Sequence, residues 1–229
     1  MLYNPFDPLF LILVVPAIIF SMWAQFKVQN SFKKYSQQQT SKRLTGAQAA
    51  KAVLNDAGVT GVEIERVAGS LTDHFDPRTN VIRLSDSVFD STSVAAVGVA
   101  AHEAGHAIQY ANKYAPMKLR AAIIPVTNIG SKLAIPVVLI GLLMEMTGLI
   151  NIGILLFSTV VLFQLITLPV EFNASGRAIK ILGNSGLLTR DEVPASRKVL
   201  TAAALTYVAA LAVSLAQLLR LILRARARR

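Results

Sequence analysis

Four stretches of the chain are apolar over the roughly 17 to 25 positions that a helix needs to cross a bilayer. The first runs from about Phe6 to Phe26, and its uncharged core, Pro8 to Ala24, is followed by Lys27, Lys33 and Lys34. It lacks a basic n-region and an A-x-A cleavage site, so it reads as a retained anchor. The second, about Ala121 to Met144, is interrupted by Pro125, Asn128, Lys132 and Pro136. Lys132 falls near mid-bilayer at about 1.5 Å per residue. That position reads either as a functional charge or as part of a half-submerged helix that breaks at its prolines. The third, Gly148 to Leu168, carries no charge, and the fourth, Val199 to about Leu223, ends in Arg220, Arg224, Arg226, Arg228 and Arg229.

Between the first two spans the pattern becomes polar and mixed. A basic helix over 27–44 fades into a linker at Ser36 to Ser41. A helix follows over Thr45 to Ala57, with Thr45 as its N-cap and Gly58 as its stop. The near-alternation of Val62, Ile64 and Val67 predicts a short strand, and Asn80 to Leu84 predicts another after the turn Asp76-Pro77-Arg78-Thr79. Asp90-Ser91 then caps an apolar helix from about Ser93 to Ala111. The chain therefore divides into an anchor (1–26), a cytosolic-side α+β unit (27–120), a transmembrane hairpin (121–168), a helix and connector (169–198) and a last span with its basic tail (199–229). This is a mainly α membrane protein with about four transmembrane helices and a small α+β unit.

Composition agrees with that pattern. Of 229 residues 53% are hydrophobic and only 16% charged, and mean hydropathy is +0.51. The net charge of +10 in so apolar a chain suits a bilayer with anionic lipid and not nucleic acid. Lys and Arg near the span ends place thirteen residues (Lys27, Lys33, Lys34, Lys42, Arg43, Lys113, Lys118, Arg120, Arg177, Lys180, Arg190, Arg197, Lys198) on one face and five, all in the C-terminal tail, on the other. The positive-inside rule then puts 27–120 and 170–198 in the cytoplasm. The tail dissents, so the fourth segment either spans or lies in the interface. Cysteine is absent, which excludes disulfides, thiolate metal sites and cysteine nucleophiles.

Inside the Ser93–Ala111 helix stands His102-Glu103-Ala104-Gly105-His106. Two imidazoles four residues apart share one helical face and can hold one zinc, with Glu103 beside the water that the metal acidifies. Shuffling this composition would give the H-E-x-x-H pattern about once in a thousand sequences. A hydrolytic zinc keeps three protein ligands and one open position. His74 is the remaining imidazole, but Glu171 is the stronger third ligand. An even number of spans, the second and third, separates it from the HEAGH helix and returns it to the same face. Ser175, at i+4 from Glu171, or Asn173 could hydrogen-bond that carboxylate.

The stretch Ser93 to Gln109 with Pro169-Val-Glu-Phe-Asn-Ala-Ser175, together with Leu71 to Leu84, resembles the YugP-like family of bacterial membrane zinc metallopeptidases. The resemblance covers the chain from the first span to about Ser196. It implies kinship with HtpX-like and CAAX-prenyl gluzincins, with His102, His106 and Glu171 as ligands of one catalytic zinc and Glu103 as the base. Ser175 stands where the HtpX-like pattern has an acid.

The reading that results is an integral-membrane zinc endopeptidase of the bacterial inner membrane. Its active site lies on the cytoplasmic side at the membrane interface and acts on unfolded or membrane-associated polypeptides. His74 or Arg177 could stabilise an oxyanion, although His74 also fits a structural role at a strand end and Arg177 a phosphate contact. The strand at Val81 to Leu84 is either a substrate-pairing edge or an internal strand. A non-catalytic metal-binding scaffold and an intramembrane, site-2-like protease are the rival readings. Substrate identity and oligomeric state have no signature in the sequence.

Overall fold

The computed structural model describes residues 7–227; the expected start of the first span at Phe6 and the last two arginines, Arg228 and Arg229, lie outside them. A π-helical turn, Phe10–Val14, leads into α1 (Val15–Ser36). Then come α2 (Gly46–Asp56), β1 (Glu63–Val67), β2 (His74–Asp76), β3 (Val81–Ser85), α3 (Val94–Ala111), α4 (Ala115–Leu143), α5 (Thr147–Asn184) and α6 (Glu192–Arg226). Four helical stretches, Phe10–Ser36, α4, α5 and α6, are long and apolar enough to cross a membrane. The protein is a mainly α membrane protein with a small α+β part. Its chain forms two compact units. One comprises the chain up to Gln25, Leu119–Leu168 and everything from Thr206 on; the other comprises Phe26–Lys118 and Pro169–Leu205.

In the first unit α4 and α5 form a hairpin held by small side chains. Thr127, Gly130, Ala134, Val138 and Gly141 recur every three or four residues and are the buried positions of α4. A Cβ on Gly141 would lie 2.8 Å from Ile150 N, and one on Gly153 would lie 3.0 Å from Ala134 O. Apolar side chains gain nothing over lipid by touching each other, so close backbone approach through small residues is what binds such helices. The prolines do not break the second segment, because α4 runs unbroken through Pro125 and Pro136. Each removes one amide donor, which an apolar helix tolerates where neighbouring groups or water meet the freed carbonyl.

The basic end of α6 has a partner in the same unit. Asp7 Oδ2 accepts from Arg220 Nε at 2.8 Å and lies 2.9 Å from Arg224 Nη2, with Asp7 5% and Arg220 8% exposed. Arg220 also stacks over the Phe10 ring at 5.0 Å. Two of the five tail arginines thus share one carboxylate. The pairing of an N-terminal acid with the end of α6 suits an even number of spans.

In the second unit a three-stranded sheet, ordered β1-β3-β2, packs with α2 and α3. β3 pairs parallel to β1 and antiparallel to β2, with His74 opposite Arg83 and Asp76 opposite Val81. β3 is therefore the central strand and not an edge. β2, which three half-exposed residues do not announce in sequence, supplies the edge. Thr45 caps α2 in a full capping box with Gln48, and Gly58 follows at φ +66°, where L side chains are strained. For α3 the cap is Ser93, whose side chain accepts from Ala96 N, and not Asp90-Ser91; Asp90 instead pairs with Arg66. Val53, Leu54, Ile82, Leu84, Val88, Val97 and Leu182 fill the core with the alanines of α3.

Removing Asp7 leaves Arg220 buried without its counter-charge. Asp7→Asn should destabilise the detergent-solubilised protein by on the order of 3 kcal/mol, read as a fall in unfolding temperature. Asp7→Asn with Arg220→Gln should recover part of it; an unchanged unfolding temperature in the single variant would show that the pair contributes nothing.

Candidate metal centre

α3 is a helix of small residues, and two of its glycines mark where other helices come closest. At Gly105, inside the HEAGH stretch, a Cβ would lie 2.6 Å from Ala174 O and 3.2 Å from Ala174 Cα, so α3 and α5 touch backbone to backbone. At Gly98 a Cβ would meet the hydroxyl of Ser196 on α6. One turn either side of the Gly105–Ala174 contact, the side chains of the two helices must converge.

They do so as three donors. Glu171 Oε2 lies 3.3 Å from His102 Nε2 and 3.4 Å from His106 Nε2. Ligands about 2.0–2.2 Å from a tetrahedral zinc sit about 3.3–3.6 Å apart, so these two edges are compatible with a zinc site. Ligand atoms of the three residues all fall within 4.8 Å of one another, the single such cluster among the described residues. Glu171 is 2% and His106 8% exposed. Two imidazoles and a carboxylate form a donor set compatible with zinc.

The far nitrogens of both rings are engaged. Gln109 Nε2 donates to Val170 O at 2.8 Å and to Asn173 Oδ1 at 3.0 Å. Its amide orientation is thereby fixed, and its Oε1 faces His106 Nδ1 at 3.0 Å. Nδ1 must then donate, leaving the lone pair on Nε2 toward Glu171. Ser175 Oγ lies 3.0 Å from His102 Nδ1 and can accept in the same way. Arg177 Nε donates to Asn173 Oδ1 at 2.7 Å and stacks over Tyr114 at 5.9 Å.

The structure thus brings His102, His106, Glu171, Asn173, Ser175 and Arg177 into one neighbourhood, with Ser175 and Asn173 in different places from those expected. Neither hydrogen-bonds Glu171. Asn173 is two residues on, about 200° around the helix, and the close approach of α3 presents the His102 ring to Ser175 first. His74 is not brought in. It is exposed, and its Nδ1 lies 2.9 Å from Thr72 O. Gln109 is the participant that sequence reasoning misses: a neutral amide has no motif, and its one signal is spacing, three residues after His106 on the same face.

Glu103 is 7% exposed and makes no hydrogen bond or ion pair with the described residues, so its carboxylate is uncommitted. Close by, Asp73 accepts from Ser85 N at 2.8 Å and from Ser85 Oγ. Burial pushes the Asp73 carboxyl above the ordinary range; the Ser85 bonds oppose this, and the charge of Glu103 adds to it.

The family model described as "Putative neutral zinc metallopeptidase" matches residues 10–226. "Putative membrane protease YugP" of Bacillus subtilis (strain 168) is 48% identical over 215 residues, 94% of this chain and 96% of that relative. No solved structure matches significantly.

The Gly105–Ala174 contact and the ring protons each predict a measurable effect. Gly105→Ala should force α5 away from α3 and weaken zinc binding at least tenfold in chelator competition. Gly98→Ala, opposed by a rotatable hydroxyl, should bind nearly as well as wild type; equal affinity for both variants would refute the role of the close approach. Burial pushes His106 down, but Glu171 and Glu103 outweigh it and hold its pKa above the ordinary 6.5. Zinc must displace that proton. Apparent affinity should be full above the histidine pKa and fall by about tenfold per pH unit and proton below it, with the decline beginning above pH 6.5. An affinity flat from pH 8 to 6 would contradict this.

Proposed function

The chain belongs to the family of neutral zinc metallopeptidases, and from that premise we propose an integral-membrane zinc endopeptidase with His102, His106 and Glu171 as ligands and Glu103 as general base. The observation that carries the reading is the convergence of the three donors, with Glu171 at 3.3 and 3.4 Å from the two imidazoles, compatible with two edges of a zinc tetrahedron, beside a carboxylate, Glu103, that has no partner among the described residues. Zinc, when bound, supplies a Lewis acid that polarises a peptide carbonyl and acidifies water. Glu103 takes the proton of the attacking water and returns it to the leaving amine, so atoms and charge balance over the cycle. Ser175 and Gln109 hold the two rings, with Asn173 and Arg177 holding Gln109. Arg177 joins this framework through its Nε, which donates to Asn173, and its Nη groups stay free to meet an oxyanion.

Two features weigh against the rival readings. α3 packs with α2 and the sheet and is not among the four helices apolar enough to span, which disfavours an intramembrane protease. Among the described residues no fourth ligand closes the cluster, which disfavours a purely structural zinc. β2, the edge strand beside α3, is the element against which an extended peptide would pair. The substrates we propose are unfolded or membrane-anchored polypeptides. The positive-inside count supports an inner-membrane protein with the site on the cytoplasmic face.

The test is zinc content together with cleavage of casein in detergent. Wild type should hold about one zinc and cut. Glu103→Gln should keep the metal and lose at least 10³-fold in kcat, of the order expected when base catalysis is removed, and Glu171→Ala should lose the metal. Undiminished cleavage by Glu103→Gln, or normal zinc in Glu171→Ala, would overturn the assignment of that residue.

A further inference from the structure

We infer that the outer face of α4 around Lys132 is a docking face for a transmembrane helix that carries a carboxylate near the middle of the bilayer. α4 packs through Thr127, Gly130, Ala134, Val138 and Gly141. At about 100° per residue, Lys132 lies about 160° away from Ala134, on the opposite side. Asn128, one turn earlier, shares that face. Both are exposed, among exposed Ile129, Leu133, Ile135 and Leu139.

Lys132 makes no hydrogen bond or ion pair with the described residues. The described acids of its unit are two. Asp7 is held by Arg220 and Arg224, and Glu145 lies in the turn after α4, about 20 Å along the axis. A second observation falls at the same level: Pro136 has no N–H, so the Lys132 carbonyl four residues earlier receives no helix hydrogen bond. An ammonium, a side-chain amide and a freed carbonyl therefore gather on one lipid-facing patch.

Lipid cannot meet these groups. Lys132 stands about 16 Å from one end of the apolar run and about 18 Å from the other, further than its four-carbon stem can carry the charge to the headgroups. A second copy is a poor occupant. Copies in one membrane are related about its normal, which sets Lys132 against Lys132 at equal depth with no acid to pair them. A helix with a mid-bilayer Asp or Glu supplies both the counter-charge and hydrogen-bond acceptors. This inference does not depend on the hydrolytic reading of the metal centre.

The experiment uses the full chain, labelled with a donor dye through Thr147→Cys and reconstituted in phosphatidylcholine vesicles. It is titrated with acceptor-labelled 21-residue polyleucine helices carrying Glu, Leu or Lys at the centre, or Glu near one end. The central-Glu helix should associate at least tenfold more tightly than the Leu helix or the end-Glu helix. Lys132→Leu should remove that preference, and Lys132→Glu should transfer it to the Lys helix. Because α4 keeps its packed face, both variants should retain zinc and unfolding temperature; the charge swap decides the matter if Lys132→Leu does not. Equal binding of the Glu and Leu helices, a preference indifferent to residue 132, or energy transfer between labelled copies that depends on Lys132 and resists the peptide would each overturn the inference.

Discussion

The contact between Gly105 and Ala174 is the constraint from which the metal centre follows. Two helices far apart in sequence meet there with no side chain between them. His102 and His106 lie three residues before and one after Gly105, and Glu171 and Ser175 lie three before and one after Ala174. Helical periodicity then turns all four toward the same seam. A larger side chain at position 105 would still leave the H-E-x-x-H pattern legible in sequence while separating the ligands it names. The motif names the candidate donors; the glycine inside it sets how closely Glu171 approaches them.

What holds the donors in place is neutral. A buried carboxylate facing two imidazoles could be oriented by further charges, but each added charge would have to be desolvated in turn. Here an amide and a hydroxyl orient the rings, and the amide is itself fixed by a backbone carbonyl and by Asn173. Arg177 stands behind this amide, donating to the far side of Asn173. Glu103 and Asp73, two carboxylates close enough to influence each other, differ in their partners. Asp73 is anchored by Ser85, while Glu103 makes no hydrogen bond or ion pair with the described residues.

Much of this is legible in the amino-acid sequence, and the reasons are specific. The spans follow from apolar length alone, and the helix Gly46–Asp56 from its capping box. The three side chains that converge were picked out by a pattern too improbable for chance and by the parity of the spans. Three things are not legible. β2 is three residues long with no alternation to read, which hides the central place of β3. The N-cap of α3 reads too early because Asp90 and Ser91 are equally good capping residues, and only the tertiary pairing of Asp90 with Arg66 removes it from contention. The partners of Ser175 and Asn173 depend on which helix comes near, a distance that no local pattern contains. Gln109 stands in plain view at i+3 from His106, yet spacing alone cannot separate a useful amide from any other.

The membrane unit obeys the same rule as the metal centre, with a different outcome at its two ends of charge. A group taken out of water has to be met by another. Asp7 meets Arg220 and Arg224 inside the unit. Around Lys132 the helix turns its small residues inward to build the hairpin, and that choice of face is what exposes the lysine. Moving Lys132 inward would bring it onto the seam where Gly130, Ala134 and Gly141 allow the backbones to touch, and the hairpin would open. The sequence has therefore kept the packing face free of charge and placed an ammonium, together with the carbonyl that Pro136 releases, on the exposed side of α4 opposite that face. In a solvent that offers no hydrogen bonds, such an arrangement persists when something other than lipid completes it.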